Sequence, residues 1–266
     1  MTSELLSELG AGGVLRLTMN RPEVHNAFDD AQIERLSEAI AAAADNPEVR
    51  LLVLAGSGKS FSAGGDINYM RRMGDYSYAE NLEDGGRLAA LMRALNFLPK
   101  PTIARVHGAA MGGGVGLVSC CDFAIGTPRT RLALTEVKLG LAPATIAPYV
   151  VNTIGEKAAR RLFLSARSVD AEEALRLGFI TELVPEQSLE EAIATLATPL
   201  MQNSPNGLRA SKQRAMDVSR EPIDDTMIDR TIALIADLRD STERKEGLSA
   251  FLEKRKPGWQ STTEED

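Results

Sequence analysis

The chain has 266 residues, 44% of them hydrophobic, and a formal net charge of −7. This is the composition of a globular protein, and so acidic a chain lacks the basic surface that nucleic-acid binding requires, so we expect no nucleic-acid partner. No apolar run approaches the ~20 residues of a membrane span and MTSELLSELGAGG contains no visible secretory signal, which predicts a cytoplasmic protein without a membrane partner.

The first half of the chain alternates between predicted strands and helices. Residues 14–19 alternate apolar and polar side chains, which predicts a strand, and residues 30–44 have the apolar spacing of a helix. Residues 51–55 form a short apolar run closed by glycines, which is typical of a buried strand. Further strands are predicted in PTIARVHG and CDFAIGTP, with a short helix in GGVGLVSC between them, a loop over residues 68–78 and a helix over residues 78–97.

The second half is predominantly helical. Asp170 is a predicted helix N-cap with Glu173 three positions later, and Gly178 is the predicted stop of that helix. Four more helices are predicted at 188–202, 206–219, 224–240 and 242–253. Alternating strands and helices up to about residue 150 followed by helices indicate an α/β fold, and the acidic tail STTEED is expected to fray.

Several common functional patterns do not fit. GSGKS follows a predicted strand, but a phosphate-binding loop requires a glycine where this chain has Val53. The only histidines, His25 and His107, lack ligand spacing, so no metal site is expected. The only cysteines, Cys120 and Cys121, are adjacent, which favours buried thiols in a reducing compartment.

Two glycine-bearing turns remain, FSAGGDI at residues 61–67 and MGGGVGL at residues 111–117, each after a predicted strand. Free backbone N–H groups at such turns, and at the start of a helix, suit a developing negative oxygen. The spacing alone is equally consistent with two tight turns that have only a structural role.

Together with three other segments, these turns resemble the enoyl-CoA hydratase/isomerase (crotonase) superfamily over nearly the whole chain. The five segments are MNRPEVHNAF, FSAGGDI, VHGAAMGGGVGLVSCCDFAIG, LTEVKLGLAPATI and FLEKRKPGW. The resemblance implies a spiral core of ββα units over residues 1–200 and a C-terminal helical oligomerisation region over residues 201–266. It also implies an acyl-CoA thioester as substrate, no cofactor beyond the coenzyme A of that substrate, and a homotrimer or dimer of trimers.

The resemblance also assigns roles to individual residues. It implies that the backbone N–H groups of Gly65 and Gly113 stabilise an enolate-like oxyanion and that Glu136 is the catalytic acid or base. It further implies a set of coenzyme A contacts, with the last two reaching a phosphate, often from a neighbouring subunit: His25, Ala27, Ala63, Asp66, Ile67, Phe251 and Lys254.

One position departs from the usual two-glutamate pattern of the hydratases. The first glutamate is replaced by Gly116, and only Glu136 remains. A single glutamate is also the pattern of many Δ3,Δ2-enoyl-CoA isomerases, so isomerisation is one alternative, and a non-catalytic acyl-CoA-binding member is another. In that last case Glu136 is simply a solvated charge.

In detail the sequence is most similar to bacterial hydratases of 3-branched glutaconyl-CoA thioesters (3-methylglutaconyl-CoA and isohexenylglutaconyl-CoA), which act in leucine and acyclic-terpene breakdown. This favours hydration over isomerisation. It also suggests that Gly116 belongs to the acyl pocket, where it removes a negative charge and leaves space for a branched acyl chain that carries its own carboxylate. The alternative is that Gly116 merely permits close helix packing.

Overall fold

The computed structural model describes residues 3–260, in which nine strands are assigned. In chain order they are β1 (Leu5–Leu9), β2 (Val14–Met19), β3 (Leu51–Gly56), β4 (Thr102–Val106), β5 (Ala109–Met111), β6 (Phe123–Gly126), β7 (Arg131–Ala133), β8 (Val169–Asp170) and β9 (Glu182–Leu183). Six of them form one sheet in the order β1-β2-β3-β4-β6-β9, and the other three form a second sheet in the order β5-β7-β8. From β2 to β9 the large sheet is parallel, and β1 is added antiparallel to β2.

Eleven α-helices are assigned in the same range. They are α1 (Asp30–Asp45), α2 (Ile67–Met73), α3 (Tyr78–Asn96), α4 (Gly113–Cys120), α5 (Ala147–Ile154), α6 (Glu156–Ser165), α7 (Ala171–Leu177), α8 (Leu189–Gln202), α9 (Pro205–Val218), α10 (Asp225–Asp240) and α11 (Thr242–Glu253). The α/β fold predicted from the sequence is therefore confirmed. None of these helices is long and apolar enough to cross a bilayer.

Strand β3 shows why the large sheet is stable. Its side chains alternate between the two faces of the sheet. Leu52 and Leu54 join the main core cluster with α1 and α3, whereas Leu51 and Val53 pack in a second cluster with Ile193 of α8. Because both faces are covered, every residue of the strand is buried, and the sequence of the strand is a continuous apolar run.

The predicted loop over residues 68–78 is wrong in its first half, where the structure has α2. Asp66 caps this helix, since its carboxylate accepts the N–H groups of Asn68 (2.8 Å) and Tyr69 (3.3 Å). A helix of only seven residues spans two turns, which is too short for a periodic apolar pattern to reveal it.

The helices predicted in the second half of the chain agree closely with those of the structure. Asp170 accepts the N–H of Glu173 at 2.8 Å and caps α7, and Gly178 ends that helix in the left-handed conformation with a φ of +89°. The predicted boundary after residue 200 falls inside α8, which ends at Gln202. A separate C-terminal oligomerisation unit stays a prediction, and the predicted fraying of STTEED lies outside the described residues.

Candidate active site

A cavity of about 260 Å³ opens between α2, α3 and the two glycine turns. Its wall is completed by the segment from Thr135 to Ile146. A larger cleft, of about 610 Å³, lies beside Lys212 and Asp122, but these two charges pair with each other at 2.9 Å. The smaller cavity, in contrast, contains unpaired polar groups, and it is the candidate active site.

Backbone hydrogen bonds join stretches of chain that are far apart in sequence to form this cavity. The N–H of Phe28 donates to the carbonyl of Gly64 (2.8 Å), and the N–H of Met111 donates to the carbonyl of Ser62 (2.9 Å). Strand β5 then pairs in parallel with β7, which brings the segment that follows β7 to the same place. The two glycine turns predicted from the sequence therefore lie side by side.

Each turn contains a glycine with a positive φ, +85° at Gly64 and +48° at Gly112. Residues other than glycine rarely adopt a positive φ, because their Cβ then crowds the backbone. A Cβ on Gly64 would in addition lie 2.7 Å from the carbonyl oxygen of Met111. Both glycines are thus required by local geometry, and each one directly precedes a predicted oxyanion donor.

Gly65 and Gly113 line the cavity with backbone N–H groups that donate to no other group within residues 3–260. Gly113 is the first residue of α4, so its N–H has no partner within the helix. A Cβ there would lie 2.5 Å from Cζ of Phe28, so no larger residue fits. Two unpaired donors that face one cavity can hold a developing oxyanion.

Glu136 begins a short 3₁₀ turn, Glu136–Leu139, and its side chain faces the same cavity. Its Oε1 would lie 3.4 Å from a Cβ built on Gly112, and its Oε2 is buried without a hydrogen-bond partner in the described part of the chain. Burial raises the pKa of the Glu136 carboxyl. This is the environment of a proton-transfer group rather than of a solvated surface charge.

The residues predicted to contact coenzyme A near the first turn differ in their exposure. Ala63 lines the cavity and Ala27 is buried, while His25 and Ile67 are exposed. The Nδ1 of His25 lies 3.1 Å from Oγ of Ser60. His25 and Ile67 are therefore accessible to a ligand, whereas the backbone N–H and carbonyl of Ala27 already bond to Val24 and Arg21. The coenzyme A contacts of all four residues stay predictions.

Asp66 and the two C-terminal residues are placed differently from Ala63. The carboxylate of Asp66 is buried, caps α2 and pairs with Arg21 at 3.3 Å, so its side chain is already engaged. Phe251 on α11 is 79% exposed, and Lys254 follows the end of that helix. Neither Phe251 nor Lys254 lines the cavity within one chain, and their role in coenzyme A binding stays a prediction.

Gly116 is buried on α4 and does not line the cavity. A Cβ at this position would lie 2.4 Å from Cγ2 of Ile146 and 3.2 Å from Cε of Met92. Ile146, which does line the cavity, fills the space that Gly116 was expected to leave for an acyl branch. The surroundings of Gly116 therefore match the alternative interpretation, in which this glycine permits close packing of its helix.

The sequence did not identify the other polar residues that line the cavity, among them Tyr69 on α2 and Asp84 on α3. The hydroxyl of Tyr69 donates a hydrogen bond to Oδ1 of Asp84. The cap at Asp66, three positions before Tyr69, is a signal that could have identified α2. No sequence pattern marks Asp84, which lies among the polar residues of a long helix. In the described chain no group of three or more His, Cys, Asp or Glu side chains could hold a metal ion.

The fold and this site define an enzyme of the crotonase fold, in which two glycines with unpaired backbone donors and one half-buried carboxylate line a common cavity. The sequence matches the model of the enoyl-CoA hydratase/isomerase family over residues 10–262. The chain therefore belongs to the enoyl-CoA hydratase/isomerase family, and it is an enzyme of the hydro-lyase type.

Individual relatives agree with this assignment. An enoyl-CoA hydratase structure from Shewanella pealeana superimposes with a TM-score of 0.94 at 40% identity and covers 97% of this chain and 96% of its own. Crotonyl-CoA hydratase from Syntrophomonas wolfei is 33% identical over 90% of this chain and 92% of its own length. The 2,3-dehydroadipyl-CoA hydratase of Escherichia coli is also 33% identical, over 92% of this chain and 94% of its own.

Proposed function

We propose that this protein adds water across the C2=C3 bond of a 2-enoyl-CoA thioester and that Glu136 is the acid–base group. The observation that carries the proposal is the buried, unpartnered oxygen of Glu136 in a cavity that also contains the free N–H groups of Gly65 and Gly113. The names of the relatives from Shewanella, Syntrophomonas and Escherichia support hydration as the reaction.

One carboxylate is sufficient for both proton transfers of a hydration. The ionised Glu136 takes a proton from water as the water oxygen forms its bond to C3. The π electrons of C2=C3 move into the C1–C2 bond, and the thioester carbonyl electrons move onto oxygen. The carboxylic acid then returns its proton to C2 as the carbonyl re-forms, so that one water molecule has been added and the enzyme is unchanged.

The enolate oxygen is the charge that the site has to stabilise. The N–H groups of Gly65 and Gly113 are fixed by their turns before the substrate arrives, so no reorganisation is needed as the charge develops. Losing one such donor typically costs about 3–4 kcal/mol of transition-state stabilisation. The raised pKa of Glu136 brings its basicity closer to the working pH, which favours proton transfer in both directions.

A Δ3,Δ2-enoyl-CoA isomerase is the second candidate, and the surroundings of Gly116 favour it. Because Ile146 packs against Gly116, there is no second acid and no space for one at this position. A single carboxylate that moves a proton between C2 and C4 also satisfies this site. A non-catalytic acyl-CoA-binding role leaves the unpartnered Glu136 oxygen without a purpose.

The finer expectation of a 3-branched glutaconyl-CoA substrate rests on the similarity of the segments around Gly116 and Glu136 to hydratases of that class. The charges of the side chains that line the cavity do not favour this expectation. The described residues that line it include the carboxylates of Glu136 and Asp84 but no Lys, Arg or His. A carboxylate on the acyl chain therefore has no lining cation with which to pair.

A panel of three thioesters tests these alternatives. Crotonyl-CoA, a 3-enoyl-CoA and 3-methylglutaconyl-CoA are each assayed for hydration and, separately, for double-bond migration. Hydration of crotonyl-CoA is the expected result, and migration without hydration assigns the isomerase activity instead. A kcat/KM at least tenfold higher for 3-methylglutaconyl-CoA, about 1.4 kcal/mol in the barrier, supports the branched glutaconyl substrate.

Assembly and location are also part of this proposal. Ile228, Ile232 and Ile235 lie one helical turn apart on α10, and each is between 44% and 57% exposed. Such an apolar face favours burial between subunits, in keeping with a homotrimer or dimer of trimers. The free thiols of Cys120 and Cys121 are consistent with the cytoplasm. Light scattering measures the assembly directly, and a monomer at micromolar concentration contradicts it.

A further inference from the structure

Tyr69 and Asp84 form a polar pair in the wall of the cavity, and the proposed reaction makes no use of it. Tyr69 is only 5% exposed, and its hydroxyl donates to Oδ1 of Asp84. The other oxygen of this carboxylate, Oδ2, accepts no hydrogen bond within residues 3–260. The surrounding wall contains apolar side chains, among them Met70, Met73 and Leu88. Asp84 is half-buried, and its carboxylate adds a negative charge to this wall.

The pair is held in place from several sides. Asp66 accepts the backbone N–H of Tyr69 at 3.3 Å, and the guanidinium of Arg72 lies 5.5 Å from the centre of the Tyr69 ring. Burial, followed by the hydrogen bond to Asp84, raises the pKa of Tyr69, so the phenol stays protonated and continues to donate. The position of Asp84 in the wall is therefore fixed by its neighbour.

The charge of Asp84 is not cancelled by a cation in the cavity. Arg72 pairs with Asp30 at 2.9 Å. Arg87 pairs with Glu83 at 2.5 Å and interacts with Asp84 only electrostatically, from outside the lining of the cavity. The described lining contains no Lys, Arg or His. An acyl group that carries its own carboxylate would thus bring a like charge into a confined and partly apolar space, where such repulsion is stronger than in water.

We propose that the Tyr69–Asp84 pair is a selectivity determinant that excludes acyl groups with a carboxylate and admits neutral ones. The proposal rests on the hydratase function above and deepens it by naming the substrate class, neutral 2-enoyl-CoA thioesters. Within the family both classes occur, since relatives are named for a crotonyl and for a 2,3-dehydroadipyl thioester. Asp84 accordingly provides repulsion against the wrong substrate rather than attraction for the right one.

The test compares two thioesters that differ at one end only, 2-hexenoyl-CoA and 2,3-dehydroadipyl-CoA. The first ends in a methyl group and the second in a carboxylate. We expect the wild-type enzyme to favour 2-hexenoyl-CoA by at least tenfold in kcat/KM. In Asp84→Asn the amide oxygen still accepts from Tyr69 but the charge is gone, so the ratio of anionic to neutral kcat/KM rises about tenfold, the equivalent of ~1.4 kcal/mol in the barrier.

Two further variants distinguish the local charge of Asp84 from other causes of a change in this ratio. Asp75→Asn removes one negative charge from the exposed segment between α2 and α3, which does not line the cavity; this variant leaves the ratio unchanged. Tyr69→Phe removes the hydroxyl but retains the charge of Asp84, so it does not raise the ratio as Asp84→Asn does. An equal rise in either variant overturns the proposal, as does a wild-type enzyme without preference.

Binding provides a readout that does not depend on turnover. The saturated thioesters hexanoyl-CoA and adipyl-CoA are titrated calorimetrically into the wild type and Asp84→Asn. Weaker binding of adipyl-CoA that recovers in Asp84→Asn supports the role of the pair even if the enzyme hydrates neither enoyl thioester, in which case only the hydratase function fails. Hydration of 2-hexenoyl-CoA with no effect of Asp84→Asn on either measurement overturns the pair's role and leaves the hydratase function intact.

Discussion

The carboxylate of Glu136 lies over the Cα of Gly112, where a Cβ would be 3.4 Å from Oε1. Gly112 directly precedes the proposed oxyanion donor Gly113, so the proposed base and one proposed donor are positioned by the same turn. We expect Glu136→Gln to lower kcat by about 10²–10⁴-fold, because it removes the proton-transfer group and keeps the shape. Stopped assays with crotonyl-CoA measure the loss, and calorimetry with hexanoyl-CoA measures the affinity. Normal turnover with unchanged affinity would exclude Glu136 as the base.

The same substitution is expected to stabilise the protein near neutral pH. Because burial raises the folded-state pKa of Glu136, the folded state binds the proton more tightly than the unfolded state does. Stability is therefore lost as the pH rises from the unfolded pKa through the folded pKa, and the whole penalty is present above both. Urea unfolding at pH 7 and near pH 4.5 measures this directly. The gain from Glu136→Gln is larger at pH 7, and an equal gain at both pH values contradicts the account.

Gly64→Ala tests whether the positive φ of the first turn is essential. The new Cβ would lie 2.7 Å from the carbonyl oxygen of Met111 at a φ of +85°, so we expect a loss of about 1–3 kcal/mol in unfolding free energy together with a loss of activity. Gly86→Ala is the matched control, because Gly86 lies inside α3 with nothing within 4 Å of its Cβ. At this position we expect alanine to raise the unfolding free energy by about 0.5–1 kcal/mol. Similar effects in both variants would show that the turn has no special requirement.

Gly116 and Ile146 are expected to be coupled in stability. Gly116→Ala places a Cβ 2.4 Å from Cγ2 of Ile146, which costs about 1–3 kcal/mol through overpacking. Ile146→Ala alone costs about 2–5 kcal/mol through a cavity. The unfolding free energy of the double variant falls by less than the sum of the two single losses, by about 0.5–3 kcal/mol. The reason is that the new methyl group occupies space that the lost Cγ2 vacates. Denaturant unfolding of the wild type, both single variants and the double variant checks this. Strictly additive losses of unfolding free energy would show that Ile146 does not contact residue 116.

Lys254 can be tested without disturbing the backbone. Its φ is +57°, so Lys254→Gly removes the ammonium group and relieves the left-handed conformation at the same time. We expect KM for the thioester to rise about tenfold with little change in kcat, because a contact to a phosphate is made equally in the ground and transition states. Arg220→Gly is the control, since this cation has a φ of +69° on another part of the surface. A fall in kcat without a change in KM would give Lys254 a role in the chemistry.

The sequence predicts those parts of the fold whose pattern is local and repeated. Helices α10 and α11 match the predicted spans to within one residue, since a long amphipathic helix shows its period several times. The three-residue strands β5 and β7 are not predictable in this way. They exist because of pairing between chain segments that the sequence does not show to be neighbours.

The same distinction applies to the site. Gly65, Gly113 and Glu136 lie in contiguous motifs, so the resemblance assigns them roles, which stay predictions, and the structure places all three in one cavity. Asp84 reaches the cavity because of how α3 packs against α1 and α4, and the close contact between Gly116 and Ile146 depends on how α4 meets the start of α5. Such relations between helices are set by tertiary packing, which a single sequence does not encode as a motif.

The proposed oxyanion donors belong to the main chain, and this has an evolutionary consequence. Every amino acid except proline carries the same N–H group, so a substitution by any other residue can remove these donors only by distorting the turns at Gly64 and Gly112. The opposite wall is made of side chains from α2 and α3, which single mutations alter freely. A duplicated gene for this fold can therefore acquire a new acyl specificity at positions such as Tyr69 or Asp84 while it inherits the reaction itself unchanged.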